Sequence, residues 1–236
     1  MAGGMLFMAV ITLFLGVSEA MVVHGAVQGI SNASRAAFLR SHIKWRILAL
    51  KLLGALPVIA ILVIIAFQPD KRFLFIVLGL LPFLLWLPKG WFQGDASRPR
   101  HAFTCGAVVI CLNLSAGVAG PALDYFYIKT PLSRQEIVAT KAITMLFSHL
   151  VKIIFYGIPL LTLCGVGSLP PLWVFFAAIP CVIAGTYVGT RILHRLNDIR
   201  FKSWTKYLVT AIGVYYLCRA AGLFGGISSR LLECQL

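Results

Sequence analysis

Acid is scarce in this chain: seven Asp and Glu stand against 21 Lys and Arg, and charged residues of both signs make up only 12% of 236 positions. With 60% hydrophobic residues and a mean hydropathy of +0.92, so little charge excludes a soluble fold, which could not cover that much apolar surface. The six cysteines show no CxxC spacing and mostly lie inside apolar runs, which argues against a disulfide framework or a zinc site and leaves them as packing residues. The apolar opening 1–20 ends in Ser18-Glu19-Ala20 like a secretion signal but has no basic n-region, and an internal repeat explains it better. Ten-residue alternation is also absent, which excludes an outer-membrane barrel and leaves helices as the spanning elements.

What is present is a set of apolar runs: 47–67, 73–87, 102–117, 137–166, 172–190 and 207–223. Each is long enough, or nearly so, to cross about 30 Å of hydrocarbon as helix. The net charge of +14 is bunched in a few loops, as positive-inside orientation requires, and no nucleic-acid partner is implied. The partner these runs imply is a lipid bilayer, and the expected location is the cell (inner) membrane with several passes.

Shifted by 117 positions, residues 2–38 lie over 119–155 without a gap. The matches include Ala2-Gly3 with Ala119-Gly120, Leu6 with Leu123, Glu19 with Glu136 and Ser31 with Ser148. Duplication in so apolar a chain predicts a transporter built from two copies of one helical unit, with substrate between them near the middle of the bilayer. The basic loops set the orientation. Arg35, Arg40, Lys44 and Arg46 on one side of a helix pair, and Lys89, Arg98 and Arg100 on the other, place both loops in the cytoplasm. The loop 157–171 of the second copy has no Lys or Arg and is predicted to face outward, so the copies are inverted. Asp70, Arg72 and Phe73 echo Asp198, Arg200 and Phe201, and there the second copy is the basic one.

Between Arg100 and Glu136 an apolar run reaches Gly117, a Gly-Val-Ala-Gly-Pro break follows, and a short run continues from Ala122 to Ile128. The length predicts a helix, a break and a second short helix forming a re-entrant hairpin, tolerated only where protein or a water-filled cavity surrounds the unwound backbone. Ala2-Gly3-Gly4 occupies the equivalent break, and the arm equivalent to 101–116 would precede residue 1. The fold class is therefore an all-α integral membrane protein: a first repeat over 1–100 without its leading helix, an inverted second repeat over 101–223, and a short tail over 224–236.

At 100° per residue His24, Gln28, Ser31 and Arg35 fall on one stripe with Asn32 beside it. Lys141, Met145, Ser148 and Lys152 form the matching stripe, with His149 beside it. Ionisable groups at such depth are costly unless they line a cavity or find partners, which makes them site candidates. The stripes hold cations and no interior acid, so the favoured ligand is an anion held by Lys141 and His24, with Gln28, Asn32 and Ser148 as hydrogen-bonding partners. Linking helices is the competing role for His24, Gln28, Asn32, Ser31 and Ser148. Arg35 and Lys152 sit nearer helix ends, where snorkelling or terminal pairing competes with a role in transport. Gly117, Gly120 and Pro121 start a short helix whose free N–H groups suit an oxyanion, against the alternative of a plain loop. Asp124 caps that helix, pairs with Lys141 or joins proton coupling, and pairing is favoured. Ser133-x-x-Glu136 reads as a capping box with Glu19 in the equivalent first turn, while a proton-carrying role stays open for both acids. Gly185-x-x-x-Gly189 reads as a close helix contact, and Lys51 and Arg219 as headgroup contacts.

On Gly117-Val-Ala-Gly-Pro121, the Glu136-x-x-Ala139-Thr140-Lys141 run with His149 and Lys152, and His24-Gly-x-x-Gln28 with Ser31-Asn32-x-x-Arg35, the chain resembles the sulfite exporter TauE/SafE family, also called the 4-toluene sulfonate uptake permease family. The similarity extends to about Leu223. It implies inverted repeats, movement of small anions such as sulfite or organosulfonates by alternating access, and no metal or cofactor. By equivalence with Gly120-Pro121, Gly3 and Gly4 join the substrate-binding set. The alternative is an intramembrane enzyme acting on a lipid or peptide through the re-entrant segment. Ser148 and His149, adjacent on one helix and pointing apart, make a poor dyad for it.

Overall fold

The computed structural model describes residues 2–86, 94–165, isolated positions within 171–184, and 198–223. The helices with complete bounds are α1 (Ala2–Phe14), α2 (Val17–Phe38), α3 (Trp45–Ile64), α4 (Lys71–Leu80), α5 (Pro99–Ala116), α6 (Gly120–Tyr125), α7 (Arg134–Cys164) and α8 (Asp198–Ala220). Short 3₁₀ segments cover Arg40–His42 and Leu81–Trp86. There is no strand among the described residues. Two of these helices, Trp45–Ile64 and Arg134–Leu163, are long and apolar enough to cross a membrane alone.

The apolar run 73–87 is not one helix, because α4 gives way to 3₁₀ geometry where Pro82 follows Leu81. The run 207–223 sits in a helix that begins nine residues earlier, at Asp198. The run 172–190, its Gly185-x-x-x-Gly189 contact and the tail 224–236 fall wholly or mostly outside the described residues.

Helix starts follow the local chemistry. Asp70 accepts a hydrogen bond from the Phe73 amide at 2.6 Å and opens α4. At the start of α7, the Ser133 amide donates to Glu136 Oε2 at 2.9 Å and the Glu136 amide donates to Ser133 Oγ at 3.3 Å, a reciprocal capping box. At the start of α2, 117 residues earlier, the Gly16 amide donates to Glu19 Oε2 at 3.2 Å and the returning half is missing because Gly16 has no side chain. Glu19 and Glu136 thus each cap a helix start, and Glu136 also meets Lys44 at 2.5 Å, tying the start of α3 to the start of α7.

Helices α3 and α7 each divide into an inner and an outer face. On α7 Ser148, Lys152 and Tyr156 recur every four residues inside, while Leu150, Ile154, Ile158 and Leu161 are exposed. On α3 Ile47, Lys51, Gly54 and Ala55 face inward, while Leu53, Leu56, Ile61 and Ile64 face outward. Outward aliphatic side chains on such helices match a hydrocarbon solvent. The inner faces meet where side chains vanish. A Cβ on Gly54 would overlap the Phe103 carbonyl, and one on Gly106 the Lys51 carbonyl, so α3 and α5 touch backbone to backbone. Gly25 brings α2 against Lys152 and Ile153 of α7, and Gly79 and Gly213 face each other where α4 crosses α8.

Gly117 ends α5 in the left-handed region at φ 74°. After α6 the chain returns to the segment ahead of α5: the Ala96 amide donates to the Phe126 carbonyl at 2.8 Å and the Lys129 amide to the Gly94 carbonyl at 3.3 Å. Gly94 permits this, since a Cβ there would lie 2.6 Å from Phe126 Cα. In the same loop Asp95 accepts from the Ser97 hydroxyl at 2.5 Å, which holds its carboxyl below the usual carboxylate range.

Candidate functional site

A cavity of about 700 Å³ opens between α2 and α7 and is floored by the break between α5 and α6. Helix α1 contributes Gly3, Gly4 and Phe7; α2 contributes His24, Gln28, Ser31, Asn32 and Arg35; the break and α6 contribute Gly117, Gly120 and Asp124; α7 contributes Lys141, Met145 and His149. Most of the residues singled out from the sequence therefore share one space, and Lys141 and His24 face it rather than the aliphatic exterior.

Two substrate candidates do not border the cavity. Pro121 is buried in the first turn of α6, and Ser148 turns its hydroxyl onto the Thr144 carbonyl at 3.1 Å. The cavity side of α7 is Lys141, Met145 and His149, spaced four apart. Asn32 is also committed, donating to the Gln28 carbonyl at 2.8 Å, and Arg35 at the exposed mouth donates to Ser31 Oγ at 2.8 Å.

Lys141 forms an ion pair with Asp124. Both are about three-quarters buried, at 26% and 22% exposure, and reach the cavity. Phe7 and His24 hold the positions equivalent to Asp124 and Lys141 under the 117-residue shift, and their rings stack at 5.9 Å.

Behind His24 lies Lys152, which is fully buried. The helix-end and snorkelling reading does not describe it. Its Nζ is 2.9 Å from His24 Nδ1, 3.0 Å from the Gly117 carbonyl and 3.5 Å from Asn113 Oδ1. Three acceptors surround the amine, and the Gly117 carbonyl lies at the negative end of α5. With Nδ1 accepting, the His24 proton sits on Nε2 and is donated to the Gly4 carbonyl at 3.1 Å. Lys152 thereby joins the end of α5 to α2, and through His24 to the start of α1.

His149 borders the cavity, and its Nδ1 is buried without a hydrogen-bond partner among the described residues. Its ring lies edge-on to His24 at 5.8 Å. Sequence reasoning missed Asn113, whose signal is a single amide in an apolar helix one turn before the glycine break, and Phe7, whose signal is its equivalence to Asp124. Lys51 is not at the headgroups. It is 1% exposed and donates to Tyr127 Oη at 2.7 Å, because the α3–α5 contact encloses it. Arg219 is half-buried, with its guanidinium 6.0 Å from the Phe75 ring.

The family model described as Sulfite exporter TauE/SafE matches residues 1–216. No curated protein and no solved structure matches the chain.

Proposed function

The chain belongs to the sulfite exporter TauE/SafE family of membrane transporters, and on that premise we propose that it carries sulfite or an organosulfonate by alternating access between two inverted repeats in the cell membrane. Membership supplies the coarse part, a membrane transporter of sulfite or related anions. The observation that carries the finer part is the cavity, to which both copies contribute and which holds cations and amide or hydroxyl groups with one acid among its described lining residues. A small oxyanion there meets Lys141, with Gln28 as a hydrogen-bonding partner.

The repeat reading draws support from three pairs of facts 117 residues apart. Gly16 and Ser133 cap α2 and α7; α1 and α6 start beside Gly3 and Gly120; Phe7 meets His24 as Asp124 meets Lys141. The hydrogen bonds from 94–96 to 126–129 support the re-entrant reading, since both ends of the α5–break–α6 segment meet there. Ser148 donates its hydroxyl proton to the Thr144 carbonyl of its own helix rather than to His149, which weakens the dyad that the enzyme reading would need.

Two experiments test the proposal. Equilibrium binding of sulfite and methanesulfonate to purified protein should be lost on Lys141→Ala while the fold persists in detergent, and unchanged affinity removes Lys141 from the site. Cysteines introduced at Ser41 and Thr162, with the native cysteines replaced, should label from opposite sides of the membrane; labelling from the same side contradicts the inverted topology.

A further inference from the structure

Asp124 is the only acid among the described residues bordering the cavity. Its carboxylate lies on Lys141, and no hydrogen bond within the protein reaches its Oδ1 apart from that ion pair. The ammonium that would receive a substrate anion is therefore already occupied by an anion of the protein. A tethered carboxylate of equal charge competes at high effective concentration, so a dilute oxyanion displaces it poorly while it stays charged. What removes the competitor without moving the helix is a proton.

We propose that Asp124 is a proton-binding site linked to the anion site: protonation of its carboxylate releases Lys141, and one proton travels with each bound monoanion. This rests on the reading that Lys141 holds the anion. The charges balance in both states. Lys141 and ionised Asp124 cancel when the site is empty, while Lys141 and a hydrogen sulfite or sulfonate monoanion cancel when Asp124 is protonated and substrate is bound. The groups around the pair fit either state. Arg35 faces it from α2, Lys51 from α3 and Cys105 from α5, while His24 and His149 lie across the cavity. They are cationic or neutral, so they hold a carboxylate on Lys141 as readily as they hold an incoming anion. The equivalent corner has Phe7 in place of the acid and can bind no proton there.

The test measures methanesulfonate binding, because that anion does not itself titrate over the range used, from about pH 8 to about pH 5. Wild-type affinity should rise roughly tenfold or more across that range. Asp124→Asn should bind at the acid-side affinity throughout, with no pH dependence. In vesicles loaded with a pH-sensitive dye, wild-type uptake should carry about one proton per anion, a readout that stands even where the variant fails to fold. Wild-type pH dependence retained in Asp124→Asn, weaker binding by that variant at the alkaline end, or uptake without proton movement each overturns the proposal. Binding that depends on Lys141 but is flat with pH removes the proton and leaves the anion site standing. No binding by wild type at any pH removes both.

Discussion

Phe7 meets His24 and, 117 residues further on, Asp124 meets Lys141, and the two contacts differ in charge: one is a neutral ring stack, the other an ion pair. On the proposed repeat reading, the difference is how a duplicated scaffold divides its labour. The His24 corner is structural, since the ring is committed on both nitrogens, to Lys152 and to the Gly4 carbonyl. The Lys141 corner is the one proposed to exchange, since its partner is a partly exposed side chain that borders the cavity. The two lysines of α7 follow the same division. Lys152 is buried among three acceptors and holds the break together, whereas Lys141 faces the space a substrate would enter.

The largest effect should come from breaking the exchangeable corner. Lys141→Ala is expected to weaken sulfite or methanesulfonate binding roughly 100-fold, as loss of a charge-assisted contact at a desolvated site does. Titration calorimetry in detergent reads it, and a change under a few-fold would make the two corners alike. Breaking the structural corner should instead cost stability. Lys152→Met leaves the Gly117 carbonyl, the Asn113 amide and His24 Nδ1 without their donor, worth roughly 3 kcal/mol. A Tm unchanged by that substitution would show that Lys152 does not hold the break.

That division was only half legible in the sequence. The break at Gly117 and the polar stripe of α2 could be read directly, because a glycine-rich interruption and a 100° periodicity survive in the residue order. The roles of Ser148 and Lys152 could not. A stripe drawn on an ideal helix puts them in line with Lys141, but Gly25 lets α2 press against α7 beside Lys152 and the cavity side becomes Lys141, Met145 and His149. Lys51 was misplaced for a related reason. Its burial depends on Gly54 and Gly106 bringing two backbones together, a contact between elements that no single-helix pattern contains.

Smaller changes sharpen the comparison. His24→Phe turns the first corner into a purely apolar stack and leaves Lys152 and the Gly4 carbonyl each one partner short; thermal unfolding in detergent should register a loss of about 1 to 2 kcal/mol. Anion affinity should fall less than in Lys141→Ala, and the reverse order would move the binding centre to His24. The smallest effect concerns the caps. Gly16 has extended backbone geometry with room for a side chain, and Ser133 is its equivalent, so Gly16→Ser should complete the capping box of α2 and raise stability by about 0.5 kcal/mol. A loss of stability would mean that the two helix starts are not interchangeable.

Uptake of radiolabelled sulfite into vesicles reconstituted with the purified protein tests the central claim most directly. Wild type should show saturable uptake that disappears in Lys141→Ala, with both proteins equally folded and inserted. Equal uptake by the two, or none by a folded and inserted wild type, would contradict it.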